Sequence, residues 1–326
     1  MSSSTTPLSY KNIMGNPEYQ NFEFTVNWIF LCVVIMVCYS IPPIVVFGRI
    51  AFFFFTKKSK IKKNVLRIEI FYSFLLMQFW NIVLVFADFA MFRMPYTTIF
   101  TRYCATENPQ TLLKCIVFVY FWAAYASQLF TVLFCALRVA ILYLVSKNTT
   151  ERIMQVLPPI IIIFGLAAAL PHFSTDAYCM QLVEPYIYGS VLIISKFHSM
   201  NSYVIIFNAF IYVSVTLTII ALNGLMMIKV RRKKLINTLR SATQSVRIER
   251  TLTGTMIILL FPMIVSCLIS IGEISRISYF SYILLIRPLF IDARVHIVTS
   301  YFYLTNPVFR SKSPHSSVSH MSRVTL

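Results

Sequence analysis

Seven stretches of this chain are apolar over about the 20 residues a helix needs to cross a hydrocarbon core, and this pattern limits the fold more than any other feature. They run from Asn27 to Phe55, Val65 to Phe86, Leu112 to Val145, Met154 to Leu170, Tyr203 to Ile228, Leu252 to Ile271 and Leu284 to Leu304. A segment in lipid must satisfy its own backbone hydrogen bonds, and uninterrupted runs of this length read as helices. The third run is longer than a bilayer requires, so it must tilt or project into water. The seventh is interrupted by Arg287, Asp292, Arg294 and His296. With 58% hydrophobic and 12% charged residues and a mean hydropathy of +0.73, the 326-residue chain lacks the polar surface of a water-soluble domain. The expected fold is all-α: a polytopic membrane protein with a seven-transmembrane helix bundle.

Charge sets the orientation. Lys57, Lys58, Lys60, Lys62, Lys63 and Arg67 follow the first run, and a second basic cluster from Lys229 to Arg250 separates the fifth from the sixth. The loops on the other side hold only scattered bases, among them Arg93, Arg102, Lys196 and Arg276. The positive-inside rule makes the basic side cytoplasmic, with the N-terminus outside and the C-terminus in the cytoplasm. Without the seventh run the C-terminus would lie outside. The divisions expected are an extracellular N-terminal tail at 1–26, a seven-transmembrane domain at 27–308 and a disordered cytoplasmic tail at 309–326. Residues 1–20 lack the pattern of a cleaved signal peptide, so the first helix is expected to act as a signal anchor. The net charge of +18 sits in short loops between spans, with no nucleic-acid motif, so the partner it implies is the lipid bilayer and not nucleic acid.

Five of the seven cysteines fall inside apolar runs, where a thiol usually serves as a small packing residue. Cys104 and Cys179 lie in loops on the side assigned as oxidising. A disulfide between them would tether the long loop after the fourth helix to the top of the third. Two free thiols, or Cys115 as the true partner, are the alternatives. The sequon at Asn148 falls in an inner loop and should stay unmodified. No zinc-protease, phosphate-loop or nucleophile-elbow motif is present, which points away from an enzyme, a metal and a cofactor.

A clamped loop over seven helices, with basic loops on the other side, is the layout of a G-protein-coupled receptor. Leu137-Arg138-Val139-Ala140 at the end of the third helix, Pro171-His172-Phe173 and the stretch from Arg287 to Asp292 leading to Asn306-Pro307-Val308-Phe309-Arg310 resemble the nematode serpentine chemoreceptors. The closest group is class gamma (Srg), in a superfamily that also holds classes V, U, X and T. The resemblance implies a chemosensory receptor that takes a small environmental or pheromone-like ligand and activates a heterotrimeric G protein. It also implies a multi-pass plasma-membrane location, in the ciliary membrane of sensory neurons. A homo- or heterodimer stays open.

The same resemblance suggests G-protein coupling through Arg138 with Arg231, Arg232, Lys233 and Lys234. Leu137 and Val139 flank Arg138 where rhodopsin-like receptors carry an acidic residue and an aromatic, so any inactive-state latch must be built differently. The bland alternative is that Arg138 snorkels to lipid phosphates. Pro262, near the middle of the sixth run, is a candidate hinge. For the ligand, Phe118, Trp122 and Tyr125 share one face of the third helix and Asp292 and His296 one face of the seventh; together they could line an outer pocket. Against this, an aromatic stripe is more often core or lipid-facing, and Asp292 could simply pair with Arg287 or Arg294, with Asp88 as a further partner for those arginines. A small transporter or channel, and a receptor-like protein without signalling, are the rival functions.

Overall fold

The computed structural model describes residues 12–56, 68–106, 110–143, 146–197, 202–236, 244–274, 280–306 and 309. Long helices form at each apolar run: α1 Trp28–Thr56, α2 Ile68–Asp88, α3 Gln110–Leu142, α4 Lys147–Ser174, α5 Ser202–Ile236, α6 Gln244–Ile274 and α7 Phe280–Thr305. Among the described residues five helices, α1 to α5, are long and apolar enough to cross a membrane by length and composition. In α6 the apolar stretch is shorter, Thr253–Ile269, and α7 is broken by charges that turn inward.

α2 departs most from the sequence expectation. Its axis does not stop near Phe86: it continues through a π-helical turn at Phe89–Arg93 and a final turn at Met94–Tyr96. Arg93 resembles a loop residue in a linear reading, but it is 0% exposed, like Asp88 at the end of the regular helix, and the helical extension is what carries it inside. A π turn adds a residue to the helical circuit and re-aims the side chains beyond it.

α3 is the axis of the bundle and packs on α2, α4 and α5; α7 packs on α1, α2 and α6, and α5 on α6. At the end nearer the basic segments an aromatic cluster fills the interior. Phe74 stacks on Phe302 at 3.9 Å, Phe54 on Phe71 at 5.2 Å, and Phe309 reaches Phe53 at 5.1 Å. Phe309, assigned from sequence to the tail, thus belongs to the bundle. α6 approaches α7 where Gly254 leaves room for the Tyr301 phenol, which lies against its backbone. A Ser146 N-cap, whose Oγ accepts from the Thr149 amide at 3.3 Å, starts α4, so the sequon asparagine sits in a helical first turn.

The other end adds a short two-stranded element to the mostly helical fold. Between α4 and α5, β1 Ala177–Gln181 and β2 Val191–Ser195 form an antiparallel hairpin with Cys179 opposite Ile193. A disulfide joins Cys179 to Cys104, in the one-turn helix Thr101–Ala105 just before α3, while Cys115 is a free thiol. Residues 12–22, expected as part of the N-terminal tail, cap this assembly. Asn12 bridges Met180, the Ile13 amide donates to the Cys179 carbonyl at 3.2 Å, and the Gly15 amide donates to Ala105 at 3.1 Å. Ile13 is 0% exposed, Tyr19 stacks on Tyr188 at 5.0 Å, and the Phe22 ring lies on Gly189, whose positive φ and missing Cβ make the contact feasible. These apolar side chains explain why a segment that reads as polar overall is held down.

Candidate functional site

Beneath the hairpin, four charged side chains meet inside the bundle. Arg93, on the π turn, donates from Nε to Asp88 at 2.9 Å and grips Asp292 of α7 with both terminal nitrogens, at 2.9 and 2.7 Å. Arg287, one turn earlier on α7, donates to the second Asp88 oxygen at 3.0 Å and to the Tyr120 hydroxyl of α3. Tyr39 of α1 donates to Asp292. The guanidinium of Arg287 also lies over the Phe92 ring at 4.2 Å, and that of Arg93 over Phe89 at 5.1 Å. Asp88 and Asp292 each serve two cationic or phenolic donors, so every carboxylate oxygen is bonded. One network therefore ties α1, α2, α3 and α7 together.

Charges so placed are costly unless paired. Each ion loses several kcal/mol of hydration, which is recovered only where the geometry is close and all the hydrogen-bonding atoms are used. The paired distances and the bidentate contact meet that requirement. Removing one partner strands the others, so the network is stiff with respect to substitution and sensitive to a group that competes for it.

The expected pocket residues do not converge. Phe118 and Trp122 turn toward α4 and α2: Phe118 packs on Phe173 at 5.6 Å, Trp122 on Trp80 at 5.2 Å, and the indole N–H donates to the Ile162 carbonyl at 3.3 Å. Tyr125 turns toward α5 and donates to Asn208 at 2.5 Å. Asp292 and His296 do share a face, as their spacing implies, and both meet Tyr39 of α1, His296 ring to ring at 5.0 Å. The face of α3 that meets α7 is another one, carrying Tyr120, Thr131 and, between them, the small Ala124 and Ser127. Its signal lay in the sequence as polar and small residues at helical spacing in an apolar run, which mark an interior face. Arg93 had no such signal, because its role depends on the π turn. The suggestion that Asp292 pairs with Arg287 or Arg294 is corrected accordingly: its cation is Arg93, and Arg287 takes Asp88.

Deeper along α7, Arg294 donates to Thr131 at 3.3 Å while its carbonyl accepts from Gln78 at 3.4 Å. Further toward the basic segments, Arg138 of α3 is only 3% exposed. It belongs to the interior of the bundle and does not reach out along a lipid-facing surface. Pro262 is buried within a continuous α6. Arg231, Arg232, Lys233 and Lys234 prolong α5, but their side chains, with residues 57–67 and 237–243, lie outside the described set. Outside the bundle, Lys114 pairs with Asp176 at 2.9 Å, and this bond and charge hold the exposed carboxyl below its ordinary range. No cluster of three or more His, Cys, Asp or Glu suited to a metal occurs among the described residues.

Comparison with known proteins locates this architecture. A family model described as serpentine type 7TM GPCR chemoreceptor Sru matches residues 13–312. The chain is also similar to serpentine receptor class U-26 of Caenorhabditis elegans, 23% identical over 270 residues that cover 80% of this chain and 90% of the relative. These matches correct the class gamma resemblance: both point to class U. The matched region takes in residues 12–22 almost entirely and extends past Phe309.

Proposed function

The chain belongs to the serpentine type 7TM GPCR chemoreceptor Sru family, and as a chemosensory receptor of that membrane-bound kind we propose that it binds a small ligand at the hairpin end of its bundle and activates a heterotrimeric G protein at the other. The observation that carries this reading is the ion network linking α1, α2, α3 and α7 directly beneath a disulfide-anchored hairpin. Such a network has a small set of discrete arrangements, and a ligand that bonds one of its members favours one arrangement over another. Only that differential affinity can shift the population of bundle states. The coupling required is on the order of 1–3 kcal/mol, comparable with one exchanged hydrogen bond to a charged group.

In this reading the hairpin end faces outward and the basic segments face the cytoplasm, where their charge attracts anionic lipid headgroups. α6 swings about Pro262, the crevice beside Arg138 opens, and Arg138 with the basic end of α5, Arg231 to Lys234, receives the G protein. The buried position of Arg138 supports a gated role, since a side chain shut inside the bundle is available only when the bundle opens. Residence in the plasma membrane of sensory cilia follows from the chemosensory role.

The test is expression of the surface-tagged chain in reporter cells with a panel of Gα subunits, challenged with pooled odorants and small metabolites. A calcium or cAMP response that requires Gα supports the reading. An ionic current or substrate uptake that persists without Gα, from chain shown to be at the surface, replaces it with a channel or transporter.

A further inference from the structure

The interior beneath the hairpin has more cations and more hydrogen-bond donors than it can use. Counting Arg294, deeper along α7, the described interior sets three arginines, Arg93, Arg287 and Arg294, against two carboxylates, Asp88 and Asp292, and the surplus positive charge is that of Arg294. Among the described residues no carboxylate pairs with Arg294. Of the four charged members of the network, Arg287 is the one that is not sealed: its side chain is 13% exposed, whereas those of Arg93, Asp88 and Asp292 are at most 2% exposed. Of its five N–H groups, Nη1 is given to Asp88 and Nη2 to Tyr120.

Two further phenols join the same aromatic cluster, Tyr96 meeting at 6.3 Å the Phe92 ring that lies under the Arg287 guanidinium. The rings of Tyr96, at the end of the α2 extension, and Tyr186, in the hairpin loop, lie 4.8 Å apart. They are 3% and 5% exposed, and the two phenols interact with each other, with no further hydrogen-bond partner for either oxygen among the described residues. The charge of Arg287 reaches both. Burial raises the Tyr186 phenol, which keeps it protonated and therefore a donor, while Tyr96 and Arg287 act against that rise. Two phenols that have only each other leave one hydroxyl proton without an acceptor, and a buried donor of that kind is usually met by water or by a ligand. Phe92 and Tyr120 add aromatic walls, with the Arg287 guanidinium lying over the first ring.

We infer that this receptor takes a small carboxylic acid, whose carboxylate is received by Arg287 and the hydroxyls of Tyr96 and Tyr186 beneath the hairpin. This inference rests on the receptor reading above and names its ligand class. A monoanion offsets the net positive charge of the described interior, two oxygens match a guanidinium edge, the phenols add neutral donors, and the aromatic rings suit an apolar acid tail. A neutral ester of the same acid keeps the tail but loses the charge and the second strong acceptor.

The experiment reads binding alone, without G protein. The full chain, purified in lipid nanodiscs, is titrated at neutral pH with short straight-chain and aromatic carboxylic acids, each against its methyl ester, and thermal unfolding is followed. Acids are expected to raise the midpoint saturably and esters not. Arg287→Gln should abolish the effect. Because that variant disturbs the ion network and its folding, Tyr96→Phe and Tyr186→Phe, which keep the rings, serve alongside it and should weaken acid affinity about fivefold each. Lys114→Ala, at the exposed pair with Asp176, should leave the titration unchanged. No stabilisation by any acid, equal stabilisation by the esters, or full acid affinity in both phenylalanine variants would overturn the assignment. A Gα-dependent response to neutral odorants in the reporter cells, with no acid binding, sinks the acid class and leaves the receptor reading standing.

Discussion

At the scale of single residues the protein divides its charges into those that are expendable and those that are not. Lys114 and Asp176 form an exposed pair, so Lys114→Ala should cost less than about 1 kcal/mol in thermal unfolding. Asp176 is held below its ordinary carboxylate range in the fold, so its small contribution is present above that range and fades as pH falls through the lowered value. The same deletion logic applied to Asp292 or Arg93 has a different outcome. Asp292→Asn or Arg93→Gln leaves a charge buried without its partner and should cost about 3–5 kcal/mol, seen as a lower unfolding midpoint and poor surface delivery. The double variant Arg93→Gln with Asp292→Asn leaves Asp88 to Arg287 and should fall short of the sum of the two single losses. Additive losses would mean that the two side chains do not act as a pair. Asp88, Asp292 and Arg287 were each legible as intramembrane or membrane-edge charges that had to find partners. Asp88 as a partner for Arg287 was among the pairings the sequence offered, and it forms; that Arg93 serves Asp292 was not, because the two lie 199 residues apart in the chain.

Elements show where local patterns suffice and where they mislead. Apolar run length located every long helix, since a helix satisfies its own backbone and needs no neighbour to exist in lipid. The end of α2 was misread because Arg93 is polar, and only its mate on α7 makes continued helix cheaper than a loop. The hairpin was invisible for a related reason: β1 and β2 are five residues each and are defined by one another. The cap of residues 12–22 is expected to be stable only while Ile13 is buried. Ile13→Asp should therefore expose this segment to limited proteolysis while leaving α1 to α7 intact, and unchanged protection would show that the disulfide alone secures that end. Pro262→Ala restores a backbone donor in α6, and if the hinge reading holds it should lower the Gα-dependent response at matched surface level without weakening ligand binding. A full response from this variant would remove Pro262 from the mechanism.

The whole molecule joins a braced end to a closed one. Cys104→Ser or Cys179→Ser opens a link spanning 75 residues and should cost about 2–4 kcal/mol, with impaired surface delivery; normal delivery and response in both would leave the disulfide without a role. Arg138→Ala should abolish signalling while ligand binding survives, and equal signalling at matched surface level would return Arg138 to a packing or topological role. The sequence by itself determined that the chain is a bundle of membrane helices, where those helices lie, and which cysteines and charges stand apart from the apolar background. These are properties of contiguous segments, set by transfer free energy and backbone satisfaction within each one. Tertiary structure alone decided that α3 turns its small and polar face to α7 while its aromatic face meets α4 and α5. It also decided that Arg93 serves Asp292 and that Tyr96 and Tyr186 meet beneath the hairpin. Ion pairing and donor satisfaction in a low-dielectric interior are decided among side chains brought together from distant segments, and no local pattern encodes that choice.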